Sequence, residues 1–131
     1  MSTRANIILK EGEEQLWFYR HSDGYPDGTL PTLNIFMDWL KTGKIRNNLS
    51  QGAGWLIALG IMEYNTLPLF KTEPDMDFGS RKIKGRTNLE SIESPLDWKV
   101  GAYEPTTGEH GDIEWLYTID LDKKELTYRE V

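Results

Sequence analysis

The chain has 131 residues, with 21 acidic against 15 basic side chains, a formal net charge of -6 and no cysteine. That length fits one domain able to bury a core without a disulfide or a metal, and the lack of cysteine excludes a disulfide scaffold, thiolate metal ligation and a cysteine nucleophile. The acidic balance argues against broad nucleic-acid binding, which draws on cationic surface, and no run of about 18 apolar residues is present to span a membrane.

Along the chain, the short apolar stretch Ile7-Ile8-Leu9 is too brief for a secretory signal, so a cytoplasmic protein is expected. Asn6 to Lys10 and Leu16 to Arg20 read as two strands joined by the acidic turn Glu11-Gly12-Glu13-Glu14. In the second strand Leu16, Phe18 and Arg20 point one way, and Trp17 and Tyr19 the other. Large apolar groups on both faces predict a central, covered strand. Ser22 to Gly28 is a run of turn formers.

A first helix is expected to start near Thr29 to Thr32, with Pro31 in its first turn. Leu33, Phe36, Met37 and Leu40 form its apolar stripe, and Lys41, Gly43 and Lys44 mark its end. A second helix should begin near Asn48 or Ser50 and run to Tyr64. It is apolar all round from Gly54 to Met62, which predicts burial on most sides, and its glycines suit close backbone packing.

Residues 71–97 are polar and irregular, with a basic cluster at Arg81, Lys82, Lys84 and Arg86, and read as a loop. Trp98 to Tyr103 reads as a strand. Ile113 to Leu121 and Glu125 to Val131 read as a hairpin closed by Asp122-Lys123-Lys124. The order ββααβββ predicts a single α+β domain over residues 1–131. Its two layers would be an antiparallel sheet of about five strands and two helices packed on one face of it. Trp17, Leu33, Phe36, Leu40, Trp55, Leu56, Leu59 and Trp115 are the expected core.

Two islands hold most of the chemical interest. The chain has 2 histidines, and each is followed two residues later by aspartate, in His21-Ser22-Asp23 and His110-Gly111-Asp112. The first island follows the second strand and the second precedes the strand from Ile113. If those two strands pair antiparallel, both islands share one end of the sheet. His and Asp together can hold a divalent ion, or an Asp can orient a His general base. His21, Asp23, His110 and Asp112 are therefore the catalytic candidates. The bland reading competes with this one: Asp23-Gly24 is a common turn pair, and Asp beside a turn usually bonds backbone. As ligand anchors, Arg20 suits a phosphate and Tyr25 a hydrogen bond. Arg81 and Arg86 suit an anionic group, and Tyr103 joins His21, Asp23 and His110 in the candidate binding set. No phosphate-cradling glycine loop, no Gly-x-Ser-x-Gly elbow and no zinc-type spacing occurs. No cofactor and no metal are expected.

Several of these segments resemble a set of short phage and prophage-borne bacterial proteins. They are Ser2-Thr3-Arg4-Ala5-Asn6-Ile7, His21-Ser22-Asp23-Gly24-Tyr25-Pro26, Gly54-Trp55-Leu56 and Gly101-Ala102-Tyr103-Glu104-Pro105-Thr106-Thr107-Gly108. The Asp-Gly-Tyr-Pro turn is the most specific of them. The resemblance implies no catalytic residue. It implies a context, an accessory protein of a mobile element acting in the host cytoplasm. Such a protein would inhibit a host factor, as in counter-defence, or sequester a nucleotide signal. The leading expectation is thus a binding protein for a host protein or small nucleotide-like ligand, with a homodimer as its expected form. The alternative is a small hydrolase or phosphoesterase using the paired His-x-Asp islands.

Overall fold

The structure, a computed structural model, describes residues 2–65 and 101–131. Strand β1 (Ala5–Glu11) and strand β2 (Glu14–Arg20) form the expected hairpin, paired antiparallel from Ala5↔Arg20 to Glu11↔Glu14.

Helix α1 (Pro26–Lys41) begins earlier than its apolar stripe suggested. Pro26 takes the first-turn position expected of Pro31, because its fixed φ and missing N–H cost nothing there. Tyr25 precedes it in extended conformation, Asp27 faces the positive end of the helix dipole, and Pro31 lies inside the helix. Helix α2 (Leu49–Asn65) starts as expected after Asn48, whose side-chain oxygen accepts the Gln51 N–H at 2.9 Å. The Glu11 carboxylate accepts the neighbouring Leu49 N–H at 2.9 Å, tying the helix start to the end of β1.

The remaining strands are β3 (Glu104–Thr106), β4 (Trp115–Asp120) and β5 (Glu125–Glu130). Of the strand expected at 98–103, residues 98–100 lie outside the described residues and Gly101 to Tyr103 are not strand; the pairing residues follow them. The reason lies at Gly60 and Gly101, where chain and helix touch. The Ala102 N–H donates to the Gly60 carbonyl at 3.1 Å, so this backbone is committed to α2 instead of a ladder. A Cβ at Gly60 would lie 2.8 Å from the Tyr103 nitrogen, so the contact needs glycine.

The five strands form one sheet in the order β3-β2-β1-β4-β5. The expectation of an antiparallel sheet holds for three of its pairs and fails for β1·β4, which is parallel, making the sheet mixed. After β3 the chain folds back and enters β4 at Trp115, opposite Ala5 at the start of β1, so the two strands run together.

Alternation sends Ala5, Ile7 and Leu9 of β1, Phe18 of β2, and Tyr117 and Ile119 of β4 into one core cluster. Leu33, Phe36, Met37 and Leu40 of α1 and Ala53, Leu56 and Leu59 of α2 belong to the same cluster. Trp115 packs against it half-buried. Two of the expected core tryptophans lie elsewhere. Trp17 is on the opposite side of β2, paired with Ile8, and Trp55 is 44% exposed, edge-on to Trp39 at 5.9 Å. A helix apolar all round has a side left over once it docks, and Trp55 occupies it. Among the described residues no helix is long and apolar enough to cross a membrane.

Candidate functional site

Arg20 and Tyr19 are neighbours at the end of β2, and pleating sends them to opposite faces. Arg20 follows Phe18 into the core and is fully buried. A guanidinium there is tolerable only when paired and hydrogen-bonded. Glu63, the single charge in α2, supplies the pair, with contacts of 3.0 Å from Nη1 and 2.5 Å from Nη2. Arg20 also donates to the Ser22 carbonyl at 2.8 Å and the Gly28 carbonyl at 3.1 Å, and its guanidinium sits 5.2 Å from the Tyr103 ring centre. Thr32 reaches Glu63 at 3.2 Å and is hydrogen-bonded to the Tyr103 hydroxyl. Burial pushes the Tyr103 phenol well above its ordinary range, against the opposing pull of Arg20. Arg20 and Tyr103, expected as ligand anchors, are thus interior members of one network joining β2, α1, α2 and the segment before β3.

That network shapes the first island. Its arginine holds the carbonyls of Ser22 and Gly28 at either end of the Asp-Gly-Tyr-Pro turn. Asp23 adopts a left-handed φ of 56°, its carbonyl accepts the Thr29 hydroxyl at 2.9 Å, and its carboxylate accepts the Tyr25 hydroxyl at 3.2 Å. The adjacent Asp23 charge raises the Tyr25 phenol above its ordinary value. The buried Tyr117 hydroxyl donates to the Gly24 carbonyl at 2.6 Å. The turn is therefore held from below while Tyr25 stands 41% exposed at its tip.

Tyr19, on the other face and itself buried, is the ring on which the more exposed side chains of the second site are gathered. The His110 ring stacks on it at 3.9 Å with an interplanar angle of 16°. The His21 ring meets it edge-on at 4.5 Å and 84°. Its hydroxyl donates to Asp112 at 2.8 Å, and Arg4 approaches the same carboxylate at 3.4 Å. Desolvation, reinforced by the hydrogen bond to Asp112, pushes the Tyr19 phenol up to about 12, so it is a firm donor at neutral pH. His21 Nε2 lies 2.8 Å from Glu104, and His110 Nε2 lies 2.8 Å from the Thr106 hydroxyl. Below the stack, Asn6 is fully buried. It accepts the His110 N–H at 2.8 Å and donates to the Phe18 carbonyl at 2.9 Å, fixing the 107–114 segment over the sheet.

The two histidines thus meet at one end of one sheet, by a route other than the expected pairing of β2 with β4. β1 lies between those strands, with Ala5 opposite both Arg20 and Trp115. Of the four catalytic candidates, His21, His110 and Asp112 converge on Tyr19, whereas Asp23 is turned to Tyr25 and the start of α1. Among the described residues no group of three or more His, Asp or Glu side chains is arranged to hold a metal ion. Arg81 and Arg86, with the rest of the loop expected at 71–97, lie outside the described residues.

Sequence reasoning missed Arg4, Asn6, Tyr19, Glu104 and Thr106 as parts of this site. One signal was present: Asn6 is a polar residue followed at once by the apolar run Ile7-Ile8-Leu9. A buried amide in a strand must find partners, and here those partners are the site's own loop and the backbone of β2. Comparison of the chain with family models, with curated proteins and with solved structures finds no match.

Proposed function

We propose that the chain is a binding protein of the accessory kind carried by phages and prophages. It engages a host protein or a small nucleotide-like ligand stoichiometrically, in the host cytoplasm, through a patch formed by His21 and His110 over the buried Tyr19 ring. The observation that carries this reading is the pair of imidazoles braced on one tyrosine ring, each with its Nε2 already engaged by Glu104 or Thr106. Braced rings offer a stacking surface with little side-chain entropy left to lose on binding. Arg4 and Asp112, both partly exposed, give the patch polar edges of both signs, and Tyr25 supplies a further exposed aromatic.

A hydrolase built on the same islands needs a base whose lone pair can reach a substrate proton. The bonds to Glu104 and Thr106 take up both Nε2 atoms, so only an Nδ1 could serve, and Asp23 takes no part in the cluster. These features favour recognition over turnover.

The test is to incubate a trace of protein with an excess of cyclic and linear nucleotides. Binding predicts depletion limited to about one ligand per chain, with the ligand recovered intact after denaturation. Multiple turnovers abolished by His21→Ala would replace this reading with the hydrolase. No depletion at all would leave the host protein as the partner.

A further inference from the structure

We propose that a second copy of this chain pairs with the free edge of β5, giving a two-fold dimer with one continuous sheet whose axis passes through Thr127. Among the described residues β5 is hydrogen-bonded on one side only, to β4, and closes the sheet order. Edge strands left bare are commonly protected by proline, by bulges or by charged side chains, and the charges of β5, at Glu125, Arg129 and Glu130, are of both signs, which an antiparallel copy can match. β5 has no proline, and its residues Leu126 and Tyr128 carry apolar surface up to that edge, Tyr128 being 47% exposed.

Backbone direction restricts how two such edges meet. The Val131 N–H donates to the Glu114 carbonyl at 2.9 Å. Residues alternate along an antiparallel ladder, so Glu125, Thr127 and Arg129 turn their backbone groups to β4. Leu126, Tyr128 and Glu130 turn theirs outward. Outward groups must face outward groups, so the two-fold axis passes through a residue and never between two.

Charge then selects among the allowed registers. An axis at Leu126 pairs Glu125 with Thr127 and sets Arg129 opposite the turn before β5, with no charge to meet it inside the ladder. An axis at Tyr128 sets Glu130 against Leu126. An axis at Thr127 pairs Glu125 with Arg129, opposite charges at both ends of the ladder, and it pairs Leu126 with Tyr128. The last pair falls on the side of β5 where Tyr128 already leans on Trp115 at 6.2 Å and on Tyr117 at 5.5 Å. The second copy thus extends an existing aromatic cluster.

The chain has no cysteine, which makes the register directly testable. Thr127 would face its own copy as a non-hydrogen-bonded pair with Cα atoms about 4.5 Å apart, within the span a disulfide bridges. The two copies of Glu125 would be about 13 Å apart along the strands, too far to bridge. Under mild oxidation Thr127→Cys should become a covalent dimer and Glu125→Cys should not. In sedimentation, the cysteine-free protein should dimerise with concentration. Arg129→Glu should weaken that association roughly tenfold, and Glu125→Arg with Arg129→Glu should restore it. A monomer at every concentration, equal cross-linking at both positions, or a double charge reversal that does not restore association would overturn the proposal.

Discussion

Glu63→Ala removes the carboxylate from a fully buried guanidinium, taking contacts of 3.0 and 2.5 Å from Arg20 and one of 3.2 Å from Thr32. Breaking a buried ion pair by deleting one partner costs about 3–5 kcal/mol, since the remaining charge stays desolvated. That is a third or more of the roughly 5–15 kcal/mol that holds a typical domain folded. For a domain of this size the midpoint should fall by roughly 10–25 °C. Thermal and urea denaturation followed by circular dichroism measure it, and Arg20→Ala should behave alike. Arg20→Met combined with Glu63→Leu should recover part of the loss, because apolar groups of similar volume need no counter-charge, while the Ser22 and Gly28 carbonyls lose their donor. By contrast His21→Ala, at a side chain 54% exposed, should cost less than about 1 kcal/mol despite its contact with Glu104. A loss under about 1 kcal/mol for Glu63→Ala, or an Arg20→Ala, Glu63→Ala double variant whose loss equals the sum of the two singles, would show that the buried pair is not coupled.

Tyr19 keeps its proton in the folded chain up to about 12, against 10.0 for an ordinary phenol. The stability this contributes is complete below the unfolded value and is lost as pH rises from there through the folded one, so urea midpoints should fall across that window, and less so in Tyr19→Phe. Gly60→Ala puts a Cβ 2.8 Å from the Tyr103 nitrogen and should cost about 1–3 kcal/mol. Gly54→Ala, where nothing lies within 4 Å, should be neutral or stabilising in the same melts. Leu56→Ala should lose about 2–5 kcal/mol, and Trp55→Ala, at a residue 44% exposed, clearly less.

The element order was legible because each segment repeats its apolar residues at a helical or a strand period, and Asn48 announces its helix. The parallel β1·β4 pair was not legible, since no local pattern records which edge of β1 a distant strand will join. The shared end of the two histidine islands was foreseen through a pairing that does not occur. It holds because Ala5 stands opposite Arg20 and Trp115 at once. The burial of Arg20 could have been read: it shares a strand face with Leu16 and Phe18, and α2 carries one charge, Glu63, at its far end. Two lone opposite charges on apolar faces are a sequence trace of a buried pair. Tyr19 was harder to find, because its role comes from the His110 ring and the Asp112 carboxylate, delivered by a loop about 90 residues away, and a single strand period carries no such information.

The central claim is that the Tyr19–His21–His110 patch holds a partner in fixed stoichiometry. Native mass spectrometry of the protein purified from producing cells tests it most directly, run beside His21→Ala with His110→Ala and a melting curve showing that the double variant is folded. Binding through the patch gives a discrete added mass on the original chain at no more than one per protomer, and its loss from the folded double variant. The same added mass on both proteins would contradict it.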